Sequence, residues 1–171
     1  MRTQLTSALS FAILLTACAG LSLPVPAPSG GSTTGTPGTS SADVSADIVR
    51  YTNDARARNG LPALRANTRL MEAARIHAQQ MASAQRLDHT ISSARYPTMQ
   101  SRLEAAGYVY ANAAENIAWN QSNAQSAVTT WMNSSGHRAN ILDPQLTEIG
   151  TAMARSSKGE PYWIQVFGRP R

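Results

Sequence analysis

Apolar residues recur every three or four positions along much of the chain, as they do in amphipathic helices. The first such stretch predicts a helix over residues 45–59, with Ser45 as its N-cap and Gly60 just beyond its end. A second predicted helix starts after Asn67 and continues to about Arg86. Its apolar face consists of Leu70, Ala74, His77, Met81 and Ala84.

Two further helices are predicted in the middle of the chain. The third runs from Thr98 to Gly107, because glycine is favoured just after a helix ends. The fourth begins at Ser122 or Asn123 and carries Trp131 on its inward face.

Strand patterns come late in the sequence. Ile149, Thr151 and Met153 alternate with small residues, which suits a strand packed closely by a helix. Tyr162–Phe167 is nearly all apolar and β-favouring, as expected of a central strand covered on both faces. Weaker candidates are Tyr108–Tyr110 and Asn116–Ala118. Early helices followed by late strands, without β–α–β alternation, predict an α+β fold with helices packed on a sheet.

The composition fits one globular domain with an additional segment at one end. The chain has 171 residues, of which 42% are hydrophobic and 15% charged, and its net charge is +5. No apolar run reaches the roughly 18 residues of a membrane-spanning helix. The positive charge allows anionic partners, but no nucleic-acid-binding motif accompanies it, so no nucleic acid is expected as a partner.

The beginning of the chain has the features of an export signal. Arg2 is followed by an apolar stretch and then by small residues before Cys18, the only cysteine. The tetrapeptide Leu-Thr-Ala-Cys that ends at Cys18 resembles the bacterial lipobox, in which the cysteine is lipidated and becomes the first mature residue. We therefore expect residues 1–17 to be a lipoprotein signal peptide and Cys18 to hold the protein on a membrane.

Residues 18–42 are rich in proline and glycine and have no charged side chain, which is typical of a flexible tether. The folded domain is expected over residues 43–171, which is long enough for one hydrophobic core. The expected location is the cell envelope. If the host has two membranes, the outer one is favoured, because Ala19 stands where an acidic residue would favour retention in the inner membrane.

Histidines and glutamates supply the candidate chemistry. His77 lies on the apolar face of the second helix, so it is predicted to be a half-buried, hydrogen-bonded core residue. His89 and His137 lie in predicted loops, where side chains on a rigid scaffold often carry function. Glu115 lies in an apolar segment and needs a partner there, since an unpaired buried charge is very costly. Glu148 begins a predicted strand.

The set of His89, Glu115 and His137 is compatible with three kinds of site. Two imidazoles and a carboxylate are ligands of an open zinc site, they can act as general acid and base, or they can form a hydrogen-bonded network that only fixes loops. Their spacing does not choose between these, because no local metal-binding motif is present. No nucleophile motif is present either, so hydrolysis would require a bound metal and a water molecule.

Six motifs occur in a characteristic order: Y-T-N-x-A-R-x-x-N-G-L-P-A-L, L-x-x-A-A-R-x-H-A-x-x-M-A, L-D-H-T, E-N-I-A, W-M-N-S-S-G-H-R-A-N-I-L and E-I-G. From about residue 47 to residue 168 they resemble the bacterial branch of the CAP superfamily, also called the SCP domain. This superfamily groups cysteine-rich secretory proteins, antigen-5-like venom proteins and pathogenesis-related plant proteins. The resemblance implies a three-layer α–β–α sandwich. Its cleft carries two histidines and two glutamates and often holds a divalent metal, for example zinc.

On this resemblance, His89 and His137 are the two cleft histidines and the implied metal ligands, and Glu115 is one of the two glutamates. The second glutamate would follow Trp131 by three residues, where this chain has Ser134. The implied set of two histidines and two glutamates therefore lacks one glutamate in this chain. Glu148 is a further carboxylate, but it belongs to a different motif.

The resemblance does not imply a single reaction, because members are implicated in sterol or lipid binding, in protein interaction and occasionally in proteolysis. The expected function is a non-catalytic, envelope-anchored module that binds a lipid, a wall polymer or a protein. Two alternatives stay open. One is a metal-dependent hydrolase acting on peptide or wall material, and the other is a purely structural envelope protein.

Overall fold

The computed structural model describes residues 40–171, and the predicted signal peptide, Cys18 and most of the predicted tether lie outside the described residues. The helices of the described part are α1 (Ser41–Arg58), α2 (Thr68–Ala84), α3 (Met99–Ala105), α4 (Ala124–Asn133) and α5 (Ser135–Ile141). The strands are β1 (Arg65–Ala66), β2 (Tyr110–Trp119), β3 (Glu148–Arg155) and β4 (Pro161–Pro170). Within residues 40–171, no helix combines the length and the apolar character that crossing a membrane requires.

The strands form one sheet in the order β1-β3-β4-β2. β1 is parallel to β3, whereas β3 and β2 each pair with β4 in antiparallel fashion. The predicted central strand is confirmed, because β4 lies between β3 and β2 and is buried from residue 161 to residue 168. The edge strand β2 includes the weaker candidate Asn116–Ala118 but excludes Tyr108.

Helices cover both faces of the sheet, which confirms the α–β–α sandwich. On one face, α2 and α3 contribute Leu70, Met81 and Leu103 to a hydrophobic cluster with Ile164 and Val166. On the other face, α1, α4 and α5 pack on the sheet through a second cluster that includes Ile48, Val128, Trp131, Ile141, Trp163 and Phe167. Because successive strand residues point to opposite faces, β4 supplies both clusters.

α2 crosses β3 in direct backbone contact. A Cβ atom at Gly150 would overlap the backbone of Leu70 and Met71, so only glycine fits at this position. Gly150 itself is buried. The prediction that a helix packs closely on the small residues of this strand is thereby confirmed.

α1 begins earlier than predicted, and the predicted N-cap at Ser45 is wrong. Ser40 caps the helix: its hydroxyl accepts the Asp43 amide at 3.2 Å, and the Asp43 carboxylate accepts the Ser40 amide at 3.1 Å. This reciprocal capping box satisfies two amides at once. The Ser45 hydroxyl instead donates to the carbonyl of Thr151 at 3.1 Å and ties α1 to β3. The first two residues of α1 fall within the predicted tether.

Candidate functional site

Glu115 is the centre of a buried polar cluster on β2. It is 7% exposed and is paired across the sheet with Val166, so its side chain lies on the face that α2 and α3 cover. Its Oε2 accepts a hydrogen bond from Arg102 Nη2 at 2.9 Å. Its Oε1 lies 2.8 Å from His89 Nδ1 and 3.6 Å from His77 Nε2. The expected partner of the buried carboxylate is therefore a group of three basic side chains.

Arg102 is the principal counter-charge of Glu115 and is not among the residues predicted from the sequence. It lies in α3, is 1% exposed, and also donates to the carbonyls of Pro97 at 3.0 Å and His89 at 3.1 Å. The guanidinium thus holds the carboxylate and the loop before α3 in one arrangement. The sequence signalled only that Glu115 needs a basic partner, and several arginines are candidates for that role.

His89 is oriented by Glu115. A carboxylate is only an acceptor when ionised, so Nδ1 carries the proton and Nε2 is directed away from Glu115. The side chain is 56% exposed. The hydrogen bond to Glu115 raises the pKa of His89 against the opposing effect of burial. Burial alone would raise the pKa of the Glu115 carboxyl, but the hydrogen bond from His89 and the positive charges of His77 and Arg102 hold it below its usual value.

His77 is fully buried, at 0% exposure, and not half-buried as predicted. Its Nδ1 lies 3.3 Å from Gln80 Oε1, but its Nε2 has no hydrogen-bond partner within residues 40–171. The 3.6 Å separation from Glu115 Oε1 is too long for a hydrogen bond. Burial lowers the pKa of His77. The predicted core position is correct, whereas the prediction that the ring is fully hydrogen-bonded is wrong, because α2 directs it at the charged cluster.

His137 lies in the short helix α5 and not in the predicted loop. The periodicity could not show this, because α5 has seven residues and a single buried one. Asn116 Nδ2 donates to the carbonyl of His137 at 3.0 Å, and Asn140 Nδ2 donates to Asn116 Oδ1 at 2.9 Å. These two hydrogen bonds fix α5 to the edge strand. His137 Nδ1 is buried and has no hydrogen-bond partner among the described residues.

The charge of His89 affects the imidazole of His137. Burial and the nearby charge of His89 both lower the pKa of His137. Glu115 and Asn116 are consecutive in β2, so their side chains point to opposite faces of the sheet. Glu115 holds His89 on one side, and Asn116 holds the helix of His137 on the other. The three predicted site residues are thus brought together around the free edge of the sheet, and we call this arrangement the edge cleft.

Glu148 belongs to a different polar cluster. Its carboxylate is nearly buried and is hydrogen-bonded by Arg65, by Asn67 Nδ2 at 2.9 Å and by the Tyr108 hydroxyl at 2.9 Å. Burial would raise the pKa of this carboxyl, but the hydrogen bonds from Arg65 and Tyr108 outweigh burial and lower it. Because Asn67 also caps α2, Glu148 joins β1, β3, α2 and the segment before β2. None of these partners of Glu148 belongs to the edge cleft.

The side chains present do not fit the metal site that the resemblance implies. Within residues 40–171 no three His, Cys, Asp or Glu side chains are grouped as metal ligands would be, whereas zinc in proteins uses at least three protein ligands. Both oxygens of Glu115 are engaged by Arg102 and His89. Ser134, in the position of the second implied glutamate, is the C-cap of α4. His89 and His137 therefore have no carboxylate free to complete a metal site.

The fold and the edge cleft agree with a family that sequence comparison identifies directly. The chain belongs to the cysteine-rich secretory protein (CAP) family, whose model matches residues 49–167. The uncharacterized protein YkwD of Bacillus subtilis is 36% identical over 120 residues, which are 70% of this chain and 45% of that protein. The uncharacterized membrane protein YlbC of the same bacterium is 32% identical over 120 residues, which are 70% of this chain and 33% of that protein. The chain thus spans less than half the length of these two relatives.

Solved structures show the same fold. An extracellular SCP-domain protein from Bacillus anthracis is similar with a TM-score of 0.67 and 29% identity, and the match covers 75% of this chain and 41% of that one. An outer surface protein from Borrelia burgdorferi gives a TM-score of 0.66 at 18% identity, with 78% of this chain and 99% of that one covered. At 18% identity the likeness concerns the fold alone. The predictions of the CAP family and of its sandwich fold are confirmed.

Proposed function

We propose that this CAP-domain chain is a non-catalytic binding module, exported and held on the cell envelope through Cys18. The observation that carries the proposal is that both oxygens of Glu115 are engaged by protein side chains, Arg102 at 2.9 Å and His89 at 2.8 Å. A carboxylate held in this way is not free to activate water or to bind a metal. The hydrolase alternative requires such a group, since the chain has no nucleophile motif.

The edge cleft has the chemistry of a recognition site. Glu115 leaves Nε2 of His89 directed away from the cluster, and the buried Nδ1 of His137 has no protein partner in the described part of the chain. A buried polar atom without a partner in a folded protein calls for an explanation, and a bound molecule is one. We infer that a ligand with a polar group contacts both imidazoles, and that a lipid, a wall polymer or a protein supplies that group.

Export and anchoring rest on the predicted lipobox and are supported by similar proteins. The similar protein from Bacillus anthracis is described as extracellular, the one from Borrelia burgdorferi as an outer surface protein and YlbC as a membrane protein. In a host with two membranes we place the chain on the outer one. Replacing Cys18 with serine should move the protein from the membrane fraction to the soluble fraction after cell lysis. Retention of C18S on the membrane would contradict the anchor.

Native mass spectrometry of the intact chain, extracted without a chelator, tests the binding role. We expect a retained organic molecule that is lost in His89→Gln and in His137→Gln and kept in the exposed control Arg69→Gln. A mass increase equal to one divalent metal, together with chelator-sensitive turnover of peptide or wall material, would instead establish the hydrolase. If both histidine variants lower only the melting temperature and no molecule is ever retained, the structural alternative is correct.

A further inference from the structure

A second surface, next to the charged cluster along β2, has an aromatic side chain that the edge cleft does not use. Large hydrophobic side chains are exposed at three places in the described residues, and two of them, Leu87 at 44% and Trp119 at 42%, line one concavity of about 460 Å³. Lys158 and Tyr162 also line it. We call it the Trp119 surface. Trp119 lies four residues after Glu115 on β2, which is about 13 Å along an extended strand.

The indole of Trp119 differs from those of the other two tryptophans. Trp131 Nε1 donates to the carbonyl of Ile117 at 3.0 Å, and Trp163 Nε1 donates to the carbonyl of Gln121 at 3.1 Å. Both rings are buried. The Trp119 ring packs beside that of Tyr162, with centroids 6.5 Å apart, and its N–H has no partner within residues 40–171. One ring face and one donor are therefore left for a ligand.

The backbone around this surface adopts an uncommon conformation. Within the described residues, the non-glycine positions with positive φ are Gln85 at 49° and Asn120 at 68°. Gln85 lines the Trp119 surface, and Asn120 lines an adjoining concavity of about 370 Å³ that shares Lys158 with it. Gln85 adopts it as the C-cap of α2, as residues that end a helix commonly do, whereas Asn120 adopts it directly after β2. Both residues carry amide side chains, which can donate and accept hydrogen bonds, although Nε2 of Gln85 already donates to the Ser157 hydroxyl at 3.2 Å.

The charge of this surface is positive. Lys158 and Arg155 form no ion pair with a carboxylate in the part of the chain that the structure describes, and both are exposed. Arg86 is neutralised by Asp88. The opposing carboxylate is that of Glu160, which accepts a hydrogen bond from the Ser156 hydroxyl at 3.3 Å. Lys158 and Glu160 line both concavities, and Arg155 lines only the adjoining one. Across the two concavities these two cations therefore accompany one acid, an arrangement that is complementary to an anionic group.

We propose that the Trp119 surface binds an anionic polysaccharide. The weakly positive C–H face of a sugar ring stacks on the negative face of an indole, and a sugar hydroxyl can accept the indole N–H. Amide side chains such as those of Gln85 and Asn120 match the remaining hydroxyls. Lys158 and Arg155 match the carboxylates of an acidic sugar. A lipid surface would use the ring and the cations, but it would not use the amide of Asn120; the Gln85 amide group donates to the Ser157 hydroxyl at 3.2 Å and offers a ligand only its oxygen.

The test uses the full chain with Cys18→Ser, so that no detergent is needed and the proposed lipid anchor does not itself bind the vesicles, and it uses four probes. They are oligomers of a β-1,4-linked uronic acid, uncharged β-1,4-linked glucose oligomers, poly-L-glutamate and vesicles of phosphatidylglycerol. We expect binding to the uronate and weaker binding to the glucose oligomer. Trp119→Ala should weaken both at least about tenfold, and Trp119→Phe should restore part of the loss. Lys158→Gln should weaken binding of the uronate alone.

Two controls keep the result interpretable. Val109→Ala changes the third exposed hydrophobic residue, which is 64% exposed and does not line this surface, and should leave all affinities unchanged. Lys158 is the only lysine, so protection of its peptide from amine acylation reports occupancy even where a Trp119 variant is unstable. Equal affinity for poly-L-glutamate, a preference for the vesicles, or no saccharide binding would each overturn the proposal. None of these outcomes depends on His89 or His137, so they do not bear on the edge cleft.

Discussion

Arg102 Nη2 and Glu115 Oε2 form an ion pair of 2.9 Å in which both side chains are almost completely removed from solvent. Such a pair is a weak source of net stability, because each charge has lost its hydration. The ion pair matters more for the chemistry of the site than for the stability of the fold. It keeps the Glu115 carboxylate ionised, and the carboxylate in turn orients His89.

Removing one member of this pair should be severe. Arg102→Met leaves Glu115 buried without its main counter-charge and removes the donor to two loop carbonyls, so we expect a loss of about 3–5 kcal/mol in the free energy of unfolding. Urea denaturation measures it. Arg75→Met is the matched control, because Arg75 pairs with Glu72 on the surface, and it should cost less than about 1 kcal/mol. Equal losses in the two variants would contradict the role of burial.

The dependence of stability on pH should separate His89 from its neighbours. A histidine whose pKa is raised on folding stabilises the protein below the unfolded pKa, and this contribution disappears as the pH rises through the folded pKa. The lowered pKa values of His77 and His137 act oppositely, since stability falls as the pH drops below the unfolded value. Glu115, whose pKa is lowered, adds a loss at more acid pH.

His89→Gln should therefore destabilise the protein more at about pH 5.5 than at about pH 8.5, measured as the difference in unfolding free energy from the wild type. The effect will be modest, because the ring is 56% exposed and partly screened by water. NMR titration of the imidazole gives a second measurement, in which Glu115→Gln should lower the pKa of His89. An unchanged His89 titration in that variant would contradict the hydrogen bond as the cause.

Two glycine substitutions should have opposite effects. Gly150→Ala places a methyl group in the backbone of α2, so we expect a loss of at least about 3 kcal/mol or failure to fold. Gly136→Ala lies in α5 with no atom within 4 Å of the added Cβ, and it should stabilise the helix by about 0.5–1 kcal/mol. Thermal unfolding of the two variants checks both values. A tolerated Gly150→Ala would mean that α2 and β3 are further apart.

Divalent metal should have little influence on the folded chain. With no carboxylate free to join His89 and His137, neither zinc addition nor EDTA treatment should move the melting temperature by more than about 1 °C, since a ligand stabilises only in proportion to its binding. Differential scanning calorimetry of the wild type and of His137→Gln measures this. A zinc-induced rise in the wild type that vanishes in H137Q would show that the two imidazoles bind metal without a third protein ligand from this cluster.

The elements with strong local patterns are the ones that the sequence predicts. The run Tyr162–Phe167 is apolar except for Gln165, a pattern typical of a strand covered on both faces, and it lies in β4. The short α5 has no such pattern, so the sequence predicts a loop at His137. The start of α1 depends on two polar residues, Ser40 and Asp43, and the hydrophobic pattern does not report it.

The candidate site, like the fold, can be predicted from the sequence only in part. His89 and Glu115 can be recognised from their motifs, and the need of Glu115 for a partner follows from its apolar surroundings. The identity of that partner does not, because Arg102 reaches Glu115 only once tertiary packing brings α3 close to β2. The proximity of His77 to the same carboxylate is likewise a property of tertiary packing, since the two residues are far apart in the chain.

The location of the edge cleft has a mechanical consequence. His89 is carried by the layer that contains α2 and α3, whereas His137 is carried by the layer that contains α1, α4 and α5, and the sheet separates the hydrophobic clusters of the two layers. A molecule that touches both imidazoles would act as a brace between the layers. Its release would then have to accompany any opening of the sandwich at that edge, so an occupied cleft would resist proteolysis along β2 more strongly than an empty one.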